Sequence, residues 1–210
     1  MITASVLRHG PTHYTNVFPD LSEEHLSLLD ATAWDIMQNF QGKIPTFISS
    51  PTPRTIASAI RIAQAYGMNL EQEDIPQDPL IGPLHRVEHA IDFLREKIAH
   101  LEHNVDPLVR HNILDYTYME DPAFEDGILC ESRSSAKARF FQFLSTIREI
   151  GSHDQHVIAT THLDVAGPAI QEWFDERGAN FSPAEVVHFW FLENSHLKIR
   201  FRNKERVIQI

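Results

Sequence analysis

The feature that most constrains the fold is an alternation of short apolar segments with helical segments. An apolar run at residues 2–7 is followed by a loop and by a helix that begins near Leu21 and ends before Gly42. A second apolar run, residues 44–48, is followed by a second helix over residues 53–66. Strands that alternate with helices in this way form a parallel sheet that helices cover. The first third of the chain therefore predicts an α/β fold.

The C-terminal part of the chain continues this pattern and then changes it. The spacing of apolar residues predicts helices over residues 134–150 and 165–178, with a strand at residues 156–161 between them. Three strand-like runs separated by short polar turns follow, at residues 185–192, 196–202 and 205–210. We expect a three-layer α/β/α fold with a mostly parallel central sheet and an antiparallel C-terminal hairpin.

Between these two parts lies a segment that does not fit the alternation. Pro76, Pro79 and Pro83 break the chain there, and a helix is expected at about residues 85–103. We expect residues 76–132, approximately, to form a cap-like helical insertion over the edge of the sheet. This insertion would be part of a single domain that spans residues 1–210, and it would shape a pocket at that edge.

The composition excludes several classes of protein. Lys and Arg number 18 against 29 Asp and Glu, so the formal net charge of the 210 residues is -11. A surface this acidic repels the phosphate backbone and argues against a nucleic-acid partner. The single cysteine, Cys130, excludes an internal disulfide and suits a reducing compartment. Because the sequence has neither an apolar run of the ~18 residues that a membrane helix needs nor a signal-peptide pattern, we expect a cytoplasmic protein with no membrane partner.

Reactive side chains follow three of the predicted strands. Arg8 and His9 follow the first strand, Arg54 lies just past the second, and His162 follows the strand at residues 156–161. The carboxyl ends of parallel strands meet at one edge of an open α/β sheet, where ligands bind. Guanidinium groups pair with phosphate oxygens, one imidazole can attack phosphorus, and the other can donate a hydrogen bond to the developing charge. These residue types at one edge predict a phosphate site.

The same segments carry a resemblance to a known family. Residues 8–12, Arg-His-Gly-Pro-Thr, resemble the Arg-His-Gly-x-Thr signature of the histidine phosphatase superfamily, which includes the cofactor-dependent phosphoglycerate mutases. Residues 49–54, Ser-Ser-Pro-Thr-Pro-Arg, are similar to its Ser-Ser-Pro-x-x-Arg motif, and Thr161 with His162 resembles the strand end that carries its second catalytic histidine. The motifs occur in the family's order, each after a strand, so the resemblance extends over most of the chain.

The resemblance implies a role for each matched residue. His9 would be the nucleophile that becomes phosphorylated, while Arg8, Arg54 and His162 would bind and neutralise the phosphoryl group during transfer. Thr12 would lie near the same pocket. The family implies no metal and no cofactor, because the two arginines supply the positive charge that a cation supplies elsewhere.

The sequence departs from the family in three places, and the third concerns the proton donor. Thr15 occupies the position of the family's asparagine, which is displaced to Asn16, and His25 replaces a glycine near the start of the first helix. The loop at residues 80–83 lacks the glutamate that donates a proton to the leaving alcohol.

Two carboxyl groups could replace the missing glutamate. Asp164, two residues after His162, occupies a position where the phytase-like branch can carry its acid, and Glu88 lies shortly after the proline-rich loop. We prefer Asp164, for which an equally weighted alternative is a cap at the N-terminus of the helix that begins at Val165.

These residues lead us to expect a metal-independent phosphatase that hydrolyses a small phosphomonoester through a phosphohistidine on His9. Two alternatives are a phosphoglycerate mutase-type phosphotransferase and a pseudo-enzyme that binds phosphate without turnover. A third comes from His85 and His89, which with Glu88 match the zinc-binding pattern His-x-x-Glu-His. A solvated helix face explains that short match better. A homodimer is a possible assembly.

Overall fold

The sheet and its helices follow the predicted alternation. A computed structural model describes residues 1–13, 15, 17–84, 119, 122, 127–128, 130–175 and 181–209. Within these residues the strands are β1 (Thr3–Arg8), β2 (Ile44–Ser49), β3 (Gln155–Thr161), β4 (Val186–Phe191), β5 (His196–Phe201) and β6 (Lys204–Gln209). The α-helices described are α1 (Leu26–Asn39), α2 (Pro53–Ala65), α3 (Arg133–Ile150) and α4 (Leu163–Phe174). Short 3-10 helices cover Glu23–His25, Gln72–Asp74 and Pro79–Ile81.

The six strands form one mixed sheet in the order β2-β3-β1-β4-β5-β6. β3 pairs in parallel with both β2 and β1, whereas β4 pairs antiparallel with β1, β5 with β4 and β6 with β5. This arrangement confirms the expected α/β fold class. In the register of the parallel strands, Arg8 lies opposite Thr161 and Ser49 lies opposite Thr160. The carboxyl ends of the three parallel strands are therefore level to within one residue.

Alternate residues of the strands face two separate cores. On one face, Ala4 and Val6 of β1 pack with α3 and α4. Phe140 and Phe143 of α3 are fully buried there. On the other face, Leu7 packs with residues of α1 and α2. This period of two is what a sheet with helices on both sides requires.

The start and end of α2 have local causes. Thr52 is extended, and Pro53 takes the first helical position, where its missing N–H costs no hydrogen bond. At the other end, Gly67 adopts φ +74°, a left-handed conformation that glycine adopts without strain. The N–H groups of Gly67 and Met68 then bond to the last carbonyls of the helix.

The boundaries of α4 differ from the prediction and remove one interpretation. The helix begins at Leu163, two residues earlier than expected, because His162 is the last extended residue and serves as the N-cap position. Asp164 therefore lies in the first turn, and the alternative that it caps the helix is wrong. Pro168 lies inside the helix.

Most of the predicted insertion lies outside the described residues, including the helix expected at residues 85–103. Its described start contains the 3-10 helix Pro79–Ile81. No helix in the part of the chain that the structure describes has the length and apolar character needed to cross a membrane.

Candidate active site

The nucleophile candidate lies at the end of β1 and is held there from two sides. The backbone N–H of His9 donates to Thr161 at the end of β3, over 3.0 Å. Its carbonyl accepts from the N–H of Ala184 in the loop before β4, over 3.1 Å. The backbone of His9 is therefore fixed to both neighbouring strands of β1.

The two predicted catalytic histidines lie side by side. The ring centroids of His9 and His162 are 5.2 Å apart, the ring planes are inclined by 63°, and both side chains are buried. His9 Nδ1 is 2.7 Å from the carbonyl oxygen of Gly10. Because a carbonyl can only accept, Nδ1 carries the hydrogen and Nε2 of the neutral ring carries the lone pair. His9 thus has the tautomer that a nucleophile with a reactive Nε2 requires.

His162 is oriented by a residue that the sequence analysis did not single out. The Ser50 hydroxyl, between β2 and α2, is 2.8 Å from His162 Nε2. Both groups are buried, so the contact fixes the tilt of the imidazole. Ser50 is part of the quoted 49–54 motif, but nothing local to it indicates a histidine partner 112 residues away.

Arg8 is almost fully buried, with 2% of its surface exposed. Its Nη1 donates to the carbonyl of Phe181 over 2.8 Å, and its backbone N–H donates to the carbonyl of Glu185. The loop before β4 therefore sets the position of this guanidinium. A guanidinium that is charged at any useful pH and buried at this edge suits the binding of an anion.

Arg54 lies in the first turn of α2, and Ser58 links that turn to the 8–12 motif. The Ser58 hydroxyl donates to the carbonyl of Arg54 over 2.7 Å and accepts from the N–H of Gly10 over 3.0 Å. One side chain therefore ties the segment that carries Arg54 to the segment that carries His9.

The sequence analysis also missed Asp20, whose side chain is 0% exposed. Its Oδ2 lies 3.6 Å from Arg54 Nη1, and its Oδ1 accepts from the N–H and the hydroxyl of Thr15 over 2.8 and 2.9 Å. An aspartate after a proline in a loop is typical of a turn residue. No local signal indicates that it reaches an arginine of another helix.

The remaining predicted residues have different outcomes. Thr12, three residues after His9, is buried. Asp164 is buried, and its Oδ2 accepts from the N–H of Leu84 over 3.3 Å, which joins α4 to the start of the insertion. Glu88 lies outside the described residues, as do His85 and His89 of the zinc pattern.

The electrostatics of this edge suit an oxyanion. α2 begins at Pro53, three residues after Ser50, and α4 begins directly after His162. The N-terminus of a helix carries partial positive charge and offers backbone N–H groups to anions. Together with two guanidinium groups, these helix ends make the edge strongly attractive to phosphate. In the described residues, no group of three or more His, Cys, Asp or Glu side chains is placed to hold a metal ion.

A groove of about 720 Å³ lies elsewhere, between α1 and the antiparallel strands. Its lining includes Asp35, His188, Arg200 and Arg202 but none of the predicted site residues. We place the candidate site at the strand ends, because the two histidines and the helix N-termini meet there. The size of a groove alone says nothing about chemistry.

Comparisons with known proteins bear on the fold. Comparison with models of protein families finds no match, and comparison with curated proteins finds none. Among solved structures, the chain matches a mycobacterial glucosyl-3-phosphoglycerate phosphatase at 17% identity, with 96% of this chain and 97% of that chain covered and a TM-score of 0.55. A mutant phosphoserine phosphatase from Entamoeba histolytica in complex with phosphoserine matches at 16% identity, with 97% and 98% covered and a TM-score of 0.56.

A proposed alpha-ribazole-5'-P phosphatase from Escherichia coli matches at 12% identity, with 97% and 98% of the two chains covered and a TM-score of 0.58. The chain therefore shares the fold of these solved structures over nearly its whole length. At these identities the likeness concerns the fold alone, and the chemistry has to be argued from the residues of this chain.

Proposed function

We propose that this protein is a phosphatase that hydrolyses a small phosphomonoester through a phosphohistidine intermediate on His9. The observation that carries the proposal is the His9 and His162 pair, with ring centroids 5.2 Å apart at the carboxyl ends of adjacent parallel strands. The known neighbours named for glucosyl-3-phosphoglycerate and phosphoserine are phosphatases of the same fold, which supports the reaction class.

In the first step, Nε2 of His9 attacks phosphorus in line with the ester oxygen. A P–N bond forms, the P–O bond to the alcohol breaks, and the alcohol leaves with a proton. Arg8, Arg54 and His162 meet the negative charge on the phosphoryl oxygens, which is how phosphoryl transfer is chiefly catalysed. The hydrogen bond from His9 Nδ1 to the Gly10 carbonyl supports the attack, because it stabilises the positive charge that the ring acquires.

The proton of the first step and the base of the second are assigned to one carboxyl group. We propose Asp164, with Glu88 as the second candidate, to protonate the leaving alcohol. The resulting carboxylate then takes a proton from water, which attacks phosphorus; the P–N bond breaks and inorganic phosphate leaves. Asp164 lies in the first turn of α4, two residues after His162, and this position supports the assignment.

The test is the hydrolysis of p-nitrophenyl phosphate between pH 4 and 8, with and without EDTA and vanadate. His9→Ala removes the nucleophile and should abolish turnover. His196→Ala, which changes an exposed histidine at the start of β5, is the matched control and should keep the wild-type rate. Activity that vanadate inhibits and EDTA leaves unchanged is the expected result.

Other outcomes would redirect the assignment. A His9→Ala variant that keeps the wild-type rate would disprove the phosphohistidine mechanism. Wild-type protein that binds vanadate without turnover would support a phosphate-binding pseudo-enzyme. Loss of activity in EDTA would instead point to a metal enzyme and to His85 and His89.

A further inference from the structure

A buried carboxyl group lies beside one of the two arginines of the candidate site. Asp20 lies in the loop between β1 and α1, and its side chain has no exposed surface. Its Oδ1 is fixed by two hydrogen bonds from Thr15, which leaves Oδ2 directed at Arg54, 3.6 Å from Nη1. A buried ion is tolerated where a counter-charge and hydrogen bonds replace its hydration, and Asp20 has both.

The same arginine is the one that the proposed mechanism assigns to the phosphoryl group. A phosphate dianion that binds Arg54 must share the guanidinium with Asp20, and like charges this close in a buried site repel strongly. Asp20 therefore has opposite effects on the two states of the site. It stabilises Arg54 while no anion is bound, and it weakens the hold of Arg54 on an anion once one is bound.

We propose that Asp20 is a positioning residue that keeps Arg54 in place between turnovers and competes with the oxyanion for its guanidinium. The inference rests on the proposed function, and it deepens it. A hydrolase has to release inorganic phosphate in every cycle, and a carboxylate behind the phosphate-binding arginine promotes that release. A phosphotransferase, in contrast, gains from retaining the phosphoryl group.

The variant that isolates the charge is Asp20→Asn. Asp20 has a φ of +47°, in the left-handed region that Asp and Asn tolerate better than most residues, so the backbone accepts the change. The amide oxygen can still accept the two hydrogen bonds from Thr15. Asp30→Asn is the matched control, because Asp30 also pairs with an arginine of α2, Arg61, but at a site where both side chains are partly exposed.

The measurement is the binding of inorganic phosphate by calorimetry, together with the turnover of p-nitrophenyl phosphate and its inhibition by phosphate. We expect Asp20→Asn to lower the Kd for phosphate at least fivefold, to lower kcat, and to make inhibition by phosphate stronger. Asp30→Asn should change none of these. Phosphate that binds Asp20→Asn as in the wild type, or more weakly, would overturn the proposal, because a merely structural role predicts that direction.

A double-mutant cycle tests whether the effect passes through Arg54. In an Arg54→Gln background, Asp20→Asn should no longer change the Kd for phosphate. The same fivefold change in that background would refute a role through Arg54. Should Asp20→Asn fail to fold by circular dichroism, Asp20→Ser removes the same charge with a smaller side chain and carries the same prediction.

These experiments distinguish a failure of the proposed function from a failure of the proposed role of Asp20. Wild-type protein that binds phosphate but hydrolyses nothing disproves the proposed function, while the binding cycle still supports or overturns the role of Asp20. Wild-type protein that does not bind phosphate overturns both.

Discussion

A chain of five hydrogen-bonded side chains crosses the sheet on the face that packs against α1. Asp35 of α1 accepts from His188 of β4, and His188 Nδ1 contacts the Ser5 hydroxyl of β1. The same hydroxyl contacts His156 Nε2 of β3, and His156 Nδ1 contacts the Thr3 hydroxyl. The four contacts span 2.8 to 2.9 Å. Burial of both rings makes this chain sensitive to pH.

The direction of every hydrogen bond in the chain follows from its acidic end. The carboxylate of Asp35 can only accept, so His188 Nε2 carries a hydrogen and Nδ1 of the neutral ring accepts from Ser5. Ser5 then accepts from His156 Nε2, and His156 Nδ1 accepts from Thr3. A proton added to either ring would place an N–H against a hydroxyl that donates to it, and that hydroxyl would have to turn its hydrogen away in order to accept, so this arrangement favours neutral rings.

The pKa values of the two histidines agree with this geometry. Burial chiefly, with the nearby His188 and Lys43 charges adding to it, lowers the pKa of His156 from 6.5 to about 3. Burial also lowers the pKa of His188, against the hydrogen bond and charge of Asp35, which raise it. The unfolded chain therefore binds more protons than the folded chain between pH 6.5 and 3, and stability falls as the pH is lowered through this range.

The size of the effect is set by one proton per histidine. Each proton taken up only by the unfolded chain costs about 1.4 kcal/mol of unfolding free energy per pH unit. For His156, whose folded pKa is about 3, the full range amounts to about 4 to 5 kcal/mol. That is comparable with the total stability of many domains, which is roughly 5 to 15 kcal/mol. This contribution of His156 to the unfolding free energy is fully present above pH 6.5 and is lost as the pH falls towards 3.

Urea unfolding at pH 7.5, 6.5, 5.5 and 4.5 measures this slope. In His156→Gln the amide still offers a donor and an acceptor, but it cannot be protonated. We expect the variant to be less stable at pH 7.5, because it loses the stacking of the ring on Phe40 at 3.8 Å. Its slope below pH 6.5 should be smaller by about 1.4 kcal/mol per pH unit. His196→Gln, at an exposed site, should keep the wild-type slope. Equal slopes for wild type and His156→Gln would refute the reasoning.

Three further predictions concern the site and its support. Asp164→Asn should slow alkyl phosphates far more than p-nitrophenyl phosphate, because nitrophenolate scarcely needs a proton; equal losses would count against Asp164 as the acid. Ser50→Ala removes the hydroxyl 2.8 Å from His162 Nε2 and should lower kcat by about fivefold to tenfold, the equivalent of one hydrogen bond; an unchanged kcat would contradict its positioning role. Arg139→Met breaks the 2.7 Å pair with the largely buried Glu131 and four hydrogen bonds to three backbone carbonyls at the start of the insertion. It should lower the unfolding free energy in urea by about 3 kcal/mol, and a change below about 1 kcal/mol would show that the pair is dispensable.

The fold and the core of the candidate site could be predicted from the sequence. The alternation of strands and helices predicts a parallel sheet, and the reactive residues follow the strands of that sheet. Once β1, β2 and β3 are parallel, the topology alone brings His9 and His162 to one edge. The pairing of β4 with β1 could not be predicted in the same way, because strand periodicity does not identify the neighbour of a strand.

The residues that the sequence analysis missed act through tertiary contacts. Asp20 and Ser50 are short polar residues in loops, and their local sequence is equally typical of turns. Their roles arise from partners in other segments, at Arg54 and His162. The start of α4 was misplaced for a different reason. The residue types found just before a helix are also found in its first turn, so the sequence does not fix the first helical residue to within two positions.

The end of β3 positions the two segments of the candidate site that carry His9 and Ser50. The N–H of His9 bonds to Thr161 and the N–H of Ser50 bonds to Thr160, so the two segments on either side are aligned on one central strand. The imidazoles are therefore oriented by the rigid parallel part of the sheet, as preorganised catalysis requires. The guanidinium groups are held differently, because Arg8 bonds to the carbonyl of Phe181 in a loop and Arg54 faces Asp20. Under the proposed function, changes in the loops should thus alter the binding and release of phosphate before they alter the attack of His9 on phosphorus.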